Sequence, residues 1–117
     1  MDNGSGNGAI ALSDITHVTV EDHYCRISYT IGNGLRSKMI RLPLKELLRK
    51  LPNAHFLRIH RSHVVNRKHV SRLMKKGRDY KIVLQRWNVE LPVSRSRFRD
   101  LHPRLKSAGS SNEFISF

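Results

Sequence analysis

The densest group of side chains that could do chemistry lies between Phe56 and Asn66, in the stretch FLRIHRSHVVN. Arginine, histidine, serine and asparagine alternate there with apolar residues that can anchor the segment in a fold. The planar guanidinium of arginine pairs with phosphate oxygens and with the O6 and N7 atoms of guanine, and asparagine can pair with adenine. These residue types favour contact with a polyanion, and with nucleic acid in particular.

The charge of the whole chain points to the same class of partner. The chain has 22 Lys and Arg residues against 9 Asp and Glu residues, which gives a net charge of +13 at pH 7. Residues 1–22 contain four acidic residues and no lysine or arginine, so the other 95 residues carry a net charge of +17. Surfaces that serve solubility alone usually mix both signs. An excess of this size therefore indicates a polyanionic partner.

Composition argues against several other classes of protein. No apolar run approaches the roughly 18 residues that a membrane helix needs, and residues 1–8 lack the charged and apolar regions of a secretory signal. The single cysteine, Cys25, cannot form an intrachain disulfide, and its apolar neighbours place it in the core. We therefore predict a cytoplasmic protein without a membrane partner.

Metal-dependent catalysis is the enzymatic alternative that the histidines suggest. His60, His63 and His69 could serve as metal ligands, but no Asp or Glu lies between Glu46 and Asp79. Three nitrogen ligands on a β-rich segment would also need a converging geometry, and the single cysteine lies far away in the sequence. The sequence contains no phosphate-binding glycine-rich loop and no Ser-His-Asp arrangement. We predict a protein that is not an enzyme and that has neither a metal site nor a cofactor.

The elements that must position these side chains are mostly strands. Cys25, Ile27, Tyr29 and Ile31 alternate with polar residues, which is the period of a half-buried strand. Before this strand, Glu21-Asp22 is a plausible turn, and after it Gly32-Asn33-Gly34 tolerates the positive φ angles that a tight turn needs. Seven further strands are predicted at residues 15–20, 39–42, 56–59, 63–65, 70–74, 80–84 and 89–93.

Two short helices complete the predicted secondary structure. Four leucines between Leu44 and Leu51 fall at i, i+3, i+4 and i+7, directly after Pro43, a residue that suits a helix start. Ser94 predicts the N-cap of a second helix, which we expect to break near Pro103. This pattern predicts a mostly β, α+β fold built as a sandwich of short antiparallel sheets.

Five motifs, taken in order and spacing, resemble the LytTR DNA-binding domain, the output module of many bacterial response regulators. The motifs are VEDHY at 20–24, LPLKELL at 42–48, FLRIHRS at 56–62, VVN at 64–66 and LPVSR at 91–95. The resemblance extends from Ile15 to Leu105, roughly three-quarters of the chain, and His-Arg-Ser followed by Val-Asn is its most specific part. Pro43 departs from the family pattern, in which a Ser-like helix cap is common at this position. That departure concerns the helix start and not the DNA-facing surface.

The resemblance implies an elongated β-β-β sandwich whose loops enter successive major grooves of double-stranded DNA. It also implies two protomers bound to paired imperfect direct repeats in promoters. Three positions that match the family's base contacts are occupied here by His23, Arg61 and Arg95. Different residues occupy position 61 across the family, so the base that Arg61 would prefer stays open.

The resemblance also divides the chain into three parts. We expect a flexible leader at 1–11, the DNA-binding domain at 12–106 and a C-terminal tail at 107–117. No phosphoacceptor receiver domain fits within 117 residues. The input signal would therefore come from an upstream sensory or receiver domain outside this sequence.

Basic and hydroxyl side chains around these positions are predicted to contact the DNA backbone. They are Arg58, Ser62, Arg67, Lys68, Ser94, Arg97 and Arg99. Phosphate contact is the commonest role of basic residues at DNA interfaces, so it is also the simpler alternative for Arg61 and Arg95. His23 could be an ordinary turn histidine, and for His60 and Asn66 we favour a structural role.

The main alternative function is an RNA-binding or ribosome-associated basic module. Recognition of single-stranded RNA generally exposes aromatic side chains on which bases stack. Aromatic residues make up 7% of this chain, and most of them occupy apolar phases of the predicted strands. Only Trp87, in the predicted turn 86–88, is a candidate for base stacking. We therefore favour double-stranded DNA.

Overall fold

The computed structural model describes the backbone of residues 9–108 and the side chains of residues 9–101. Within this range the chain forms eight strands: β1 (Ile15–Glu21), β2 (Tyr24–Ile31), β3 (Gly34–Ile40), β4 (Phe56–His60), β5 (His63–Asn66), β6 (Val70–Lys76), β7 (Asp79–Leu84) and β8 (Glu90–Val93). It also forms the helices α1 (Leu44–Leu48) and α2 (Arg95–Ala108). Two single 3-10 turns, Leu12–Asp14 and Arg67–His69, lead into β1 and out of β5. The predicted leader and tail lie largely outside the described residues.

The strands form two antiparallel sheets, one of five strands in the order β3-β2-β1-β5-β4 and one of three in the order β6-β7-β8. Strands account for 52% of residues 9–101, which confirms the prediction of a mostly β fold with two short helices. The domain is elongated, with extents of 42 × 29 × 24 Å. Because the chain alternates between adjacent antiparallel strands, several tight turns lie at the two ends of the five-stranded sheet.

Two apolar clusters hold the two sheets and the two helices together. The first lies where α1 packs on the five-stranded sheet and contains Ile15, Val18, Cys25, Ile27, Leu44, Leu47, Leu51, Phe56 and Val64. The second lies between β4 and β5, the three-stranded sheet and α2, and contains Leu57, Ile59, Val65, Val70, Leu73, Ile82, Leu84, Leu91, Val93 and Leu101. The leucine spacing around Pro43 and the core position of Cys25 are thus confirmed.

The central position of β1 explains where the strand predictions differ from the structure. Thr16, His17 and Ser28 are buried although they are polar, because both faces of the middle strands are covered. Ile31, predicted to point inward, is 44% exposed because it adjoins the β2–β3 turn. The return strand begins at Gly34 and not at Met39, since β3 pairs with β2 along its whole length. As an edge strand with little burial, β3 lacks the apolar alternation that would have revealed it.

The second helix is longer than predicted, because α2 continues through Pro103 to Ala108. A proline inside a helix removes one backbone hydrogen bond and favours a break or kink, but the remaining bonds can carry the helix onward. The first turns of α2 are fixed by packing. The ring of Phe98 stacks on Tyr80 of β7 at a centroid distance of 3.8 Å, and Leu101 is buried in the second cluster.

Burial of His17 is expected to make the fold sensitive to acid. The pKa of His17 is lowered from 6.5 to about 4, mainly by burial and further by the neighbouring His63 and His69. A histidine whose folded pKa is depressed stabilises the fold fully above pH 6.5, and this stability is lost as the pH falls towards 4. We expect the free energy of unfolding to drop by about 2–3 kcal/mol from this residue between pH 7 and pH 4.5. Urea titrations at the two pH values measure the difference.

The control for this prediction is His17→Gln, which keeps a polar side chain but removes the titration. Its free energy of unfolding should fall less than that of the wild type over the same pH interval. Equal losses in the two proteins would show that His17 does not carry the acid sensitivity.

Candidate nucleic-acid interface

Two backbone hydrogen bonds bring three separate segments together at one end of the domain. The N–H of Val20, near the end of β1, donates to the carbonyl of Ser62 in the β4–β5 turn at 2.8 Å. The N–H of Ser94, just before α2, donates to the carbonyl of Ile59 in β4 at 2.9 Å. The β1–β2 turn, the β4–β5 turn and the start of α2 are therefore neighbours, with the β4–β5 turn in the middle. We call this set of three segments the loop end.

The β1–β2 turn presents His23 to solvent. It is a two-residue connection, Asp22-His23, closed by the pairing of Glu21 with Tyr24. Asp22 has a φ of 55°, a left-handed conformation that aspartate tolerates better than most residues. The predicted turn at Glu21-Asp22 is thus displaced by one residue, since β1 continues through Glu21. The displacement leaves His23 exposed at the tip of the hairpin.

Glu21, the last residue of β1, lies next to this turn and forms an ion pair with Arg26. Glu21 accepts two hydrogen bonds from Arg26, from Nε at 2.6 Å and from Nη2 at 3.1 Å. The hydrogen bond from Arg26 lowers the pKa of Glu21, so the carboxylate stays charged and paired. Arg26 also donates from Nη1 to the hydroxyl of Ser37 at 3.1 Å. This pairing reduces the repulsion that a free carboxylate at the loop end would exert on an approaching phosphate.

Arg41, a cation that the sequence analysis did not single out, lies beside the β1–β2 turn. A cavity of about 330 Å³ adjoins the turn and is lined by both Arg41 and His23. Arg41 is exposed and belongs to the link between β3 and α1. No local pattern in the sequence connects it with His23, because only the fold brings the two segments together.

The β4–β5 turn places Arg61 at the centre of the loop end. The turn consists of Arg61 and Ser62, and the side chain of Arg61 is exposed while Ser62 is half-buried. Arg58, at the start of the same hairpin, donates from Nη2 to the carbonyl of Arg61 at 2.7 Å. Ser62 donates its N–H to Nδ1 of His60 at 3.1 Å. This contact supports the structural role predicted for His60.

A group of histidines lies under this turn. The rings of His60 and His63 have centroids 5.2 Å apart, and Nδ1 of His63 lies 3.1 Å from the hydroxyl of Thr19. Burial lowers the pKa of His63, and the proximity of His60 lowers it further. Among the described residues, no group of three or more His, Cys, Asp or Glu side chains is arranged to hold a metal ion. The two histidines thus connect the turn to the sheet below it.

The start of α2 adds the third group of basic residues. Ser94 accepts the N–H of Arg97 on its hydroxyl at 3.4 Å, as expected for the predicted N-cap. Arg95 and Arg99 are exposed and one turn apart, so they lie on the same face of the helix. Arg97 is half-buried and close enough to Arg58 to lower the pKa of that guanidinium, although burial of Arg58 contributes more.

Two predicted backbone contacts are not brought to the loop end. Arg67 and Lys68 follow the last residue of β5, and the N–H of Arg67 donates to the carbonyl of His55 at the opposite end of the β4–β5 pair. The four residues of β5 separate them from the turn by roughly 13 Å. Asn66, the last residue of β5, is buried and donates to the carbonyl of Ile15 at 2.8 Å, which confirms its predicted structural role.

The turn between β7 and β8 lies beside the β2–β3 turn, at the end of the five-stranded sheet opposite the loop end. Arg86 donates to the carbonyl of Asn33 in the β2–β3 turn at 3.3 Å, and its guanidinium carbon lies 4.4 Å from the ring centroid of Trp87. Trp87 is half-buried, with Trp87 and Asn88 both at positive φ. The aromatic candidate for RNA stacking is therefore packed against an arginine and does not belong to the loop end.

None of the described helices is long and apolar enough to cross a membrane. The fold and the loop end together define a β-rich domain that presents basic side chains from three adjacent loops. Basic side chains gathered on one part of a domain are the electrostatic footprint that nucleic-acid-binding proteins present.

Comparison with known proteins identifies the family. A model of the LytTr DNA-binding domain family matches residues 7–106. An uncharacterised response regulatory protein of Vibrio cholerae is 36% identical over 89 residues, which cover 74% of this chain and 33% of the relative. The chain thus spans about a third of the length of that relative. The solved LytTr DNA-binding domain of a Bacillus cereus protein, described as a methyl-accepting/DNA response regulator, has a similar fold. It aligns with a TM-score of 0.67 at 20% identity, covering 82% of this chain and 84% of that one.

The chain belongs to the LytTR family of DNA-binding domains. Membership supports a role in DNA binding and transcription regulation, and the family is not an enzyme family. The resemblance found in the five motifs is confirmed.

Proposed function

We propose that this domain binds double-stranded DNA sequence-specifically and reads bases through His23, Arg61 and Arg95. The observation that carries the proposal is the convergence of the three loops through the bonds from Val20 to Ser62 and from Ser94 to Ile59. All three side chains are exposed, and each comes from a different loop. Residues that the sequence separates by up to 72 positions thus come from neighbouring segments.

The dimensions of the loop end suit a DNA groove. The β1–β2 and β4–β5 turns belong to neighbouring hairpins, so their centres lie roughly two strand spacings apart, about 10 Å. The major groove is about 12 Å wide. Side chains from the two turns can therefore approach adjacent positions of one groove, while Arg95 approaches the duplex from the start of α2.

Other side chains of the loop end are proposed to bind phosphate. Ser62 and Ser94 have hydroxyls that can donate to phosphate oxygens, and Arg97 and Arg99 add positive charge on α2. Arg67 and Lys68 would reach the backbone further along the duplex. Arg58 differs from these residues, because its guanidinium is engaged within the protein.

We further propose that two protomers bind paired direct repeats in promoters and that the domain is the output module of a response regulator. The Vibrio cholerae relative named a response regulatory protein extends well beyond the part that this chain covers. An upstream sensory or receiver domain in the same polypeptide would supply the input signal.

Selection from random double-stranded DNA tests the proposed function. The protein should enrich duplexes that contain two similar half-sites, spaced by one or more helical turns of about 10.5 base pairs. Enrichment of a single half-site would contradict the two-protomer arrangement but keep sequence-specific binding. No enrichment, together with tight binding to single-stranded RNA, would favour the RNA-binding alternative instead.

Replacing Arg67 by alanine tests whether the interface extends to the opposite end of β5. A lost phosphate contact should weaken cognate and scrambled duplexes alike and reduce the slope of log K against log salt by about 0.9. Fluorescence anisotropy over a salt series measures this slope. The control is Arg49→Ala on α1, where the arginine pairs with Glu46 at 3.6 Å. An unchanged slope for Arg67→Ala would place Arg67 outside the interface.

A further inference from the structure

The backbone of the Arg61–Ser62 turn is held by more contacts than a two-residue hairpin needs. The carbonyls of His60 and Arg61 both accept hydrogen bonds from Arg58, from Nε at 3.4 Å and from Nη2 at 2.7 Å. The N–H of Ser62 donates to the ring of His60 at 3.1 Å, and the carbonyl of Ser62 accepts from Val20 at 2.8 Å. Side chains from within the hairpin therefore fix the turn on both sides of Arg61.

Arg58 is suited to this contact by its shape. The planar guanidinium presents several donors in a rigid fork, and here two of them reach successive carbonyls of the same turn. Arg58 is half-buried, and this burial lowers the pKa of its guanidinium, with the nearby Arg97 lowering it further. Hydrogen bonds from a charged donor are stronger than neutral ones. Arg58 therefore stabilises one conformation of the turn against the alternatives open to a short exposed loop.

His60 fixes the other side of the turn by acting as an acceptor. Its Nδ1 takes the N–H of Ser62, so the ring lies against the turn that carries Arg61. The neighbouring ring of His63 and the hydroxyl of Thr19 continue this contact into the sheet. The turn is thereby connected to the rigid β1–β5 pair.

We propose that Arg58 and His60 are positioning residues, which hold the Arg61–Ser62 turn in the conformation from which Arg61 reads a base. The inference rests on the proposed function and assigns Arg58 a role other than phosphate contact. A readout side chain must be held within about 0.5 Å of its productive position by groups that are themselves fixed. Arg58 and His60 provide these groups without contacting DNA.

Arg58→Lys separates positioning from charge. Lysine keeps the positive charge but lacks the fork that reaches two carbonyls. If Arg58 positions the turn, the ratio of cognate to scrambled affinity should fall by about 5- to 150-fold, the range for one lost base contact. The salt slope should stay unchanged. If Arg58 only contacts phosphate, lysine should preserve both the ratio and the slope, and that result would overturn the proposal.

Arg97→Ala is the matched control, because Arg97 is the neighbouring arginine in the same electrostatic environment. Its loss should weaken both duplexes equally and reduce the salt slope by about 0.9. Arg58→Ala should instead lower the affinity ratio. If Arg58→Ala behaved like Arg97→Ala, Arg58 would be a phosphate contact. Should the alanine variant fail to fold, Arg58→Lys still decides the question.

A second pair of variants tests His60. His60→Asn can keep an acceptor near the position of Nδ1, whereas His60→Ala removes it. We expect the affinity ratio to fall by about 5- to 150-fold in His60→Ala and to be largely restored in His60→Asn. Equal ratios in wild type and His60→Ala would overturn the role of His60.

Amide hydrogen exchange of Ser62, followed by NMR without DNA, keeps this proposal separate from the proposed function. Exchange at Ser62 should be faster in His60→Ala and in Arg58→Lys than in the wild type. If the wild-type protein shows this protection but binds both duplexes equally, the proposed function is wrong while the positioning role of Arg58 and His60 still holds. If Ser62 exchange is unchanged in both variants, the positioning role is wrong, and the proposed function is unaffected.

Discussion

Replacing Arg61 and Arg95 together by alanine is expected to weaken binding to the cognate duplex by about 2–6 kcal/mol, roughly 30-fold to more than 10,000-fold. Each arginine is exposed at the loop end and is proposed to form a bidentate contact with a base. A contact of that kind contributes about 1–3 kcal/mol of discrimination. The loss on a scrambled duplex should be much smaller, because base contacts exist only on the cognate sequence. Fluorescence anisotropy on both duplexes measures the two losses.

The single variants and a neighbouring arginine serve as controls for this result. Arg61 and Arg95 lie on different loops, so the single losses should add to within about 0.5 kcal/mol if the two contacts are independent. Arg99→Ala changes the same face of α2 as Arg95 and should weaken both duplexes alike. Equal losses of the double variant on cognate and scrambled DNA would reassign both arginines to phosphate contacts.

Replacing Leu57 by alanine is expected to lower the free energy of unfolding by about 2–5 kcal/mol. Leu57 is fully buried in the cluster that joins β4 and β5 to the three-stranded sheet and α2. Truncation removes apolar contacts and leaves a cavity where β4 and β5, the three-stranded sheet and α2 meet. Since small domains are stable by only about 5–15 kcal/mol, this one side chain accounts for a large part of the total. Urea denaturation followed by circular dichroism measures the loss.

Met39→Ala is the control for the core variant. Met39 is 40% exposed on the edge strand β3, so its truncation should change stability by about 0.5 kcal/mol or less. A loss of similar size in the two variants would mean that the cluster around Leu57 does not hold the sheets together. Leu57→Ala also bears on function, because Ile59 of this cluster bonds to Ser94 at the start of α2.

The sequence predicted the elements of this fold wherever burial imposed a regular pattern. The leucines after Pro43 and the cap at Ser94 depend on local spacing, and both are found in the structure. The alternation predicted around Cys25 holds for Cys25 and Ile27, which are buried, but not for Ile31, which is exposed. The edge strand β3 was predicted too short, because an exposed strand has no apolar period to reveal it. The continuation of α2 through Pro103 was missed, because the penalty of a proline can be outweighed by the remaining helix contacts.

The site was predictable only in part, and mainly through the family motifs. The resemblance to the family suggests His23, Arg61 and Arg95, but not that the bonds of Val20 and Ser94 place their segments side by side. The contacts of Arg58 could not be predicted either. An arginine that binds backbone carbonyls cannot be told from one that binds phosphate by its sequence position alone. Arg67 and Lys68 follow the same dense basic segment, yet the four residues of β5 carry them to the other end of the sheet.

The most direct test of sequence-specific DNA binding is the affinity ratio of the wild-type protein for three matched probes at one salt concentration. These are a duplex obtained by selection, a scrambled duplex of the same composition, and a single-stranded RNA of the same length. We predict binding to the selected duplex at least about 1,000-fold tighter than to the scrambled duplex, as is typical of specific DNA-binding proteins, and tighter than to RNA. Equal affinity for the two duplexes, or a preference for the RNA, would contradict the account.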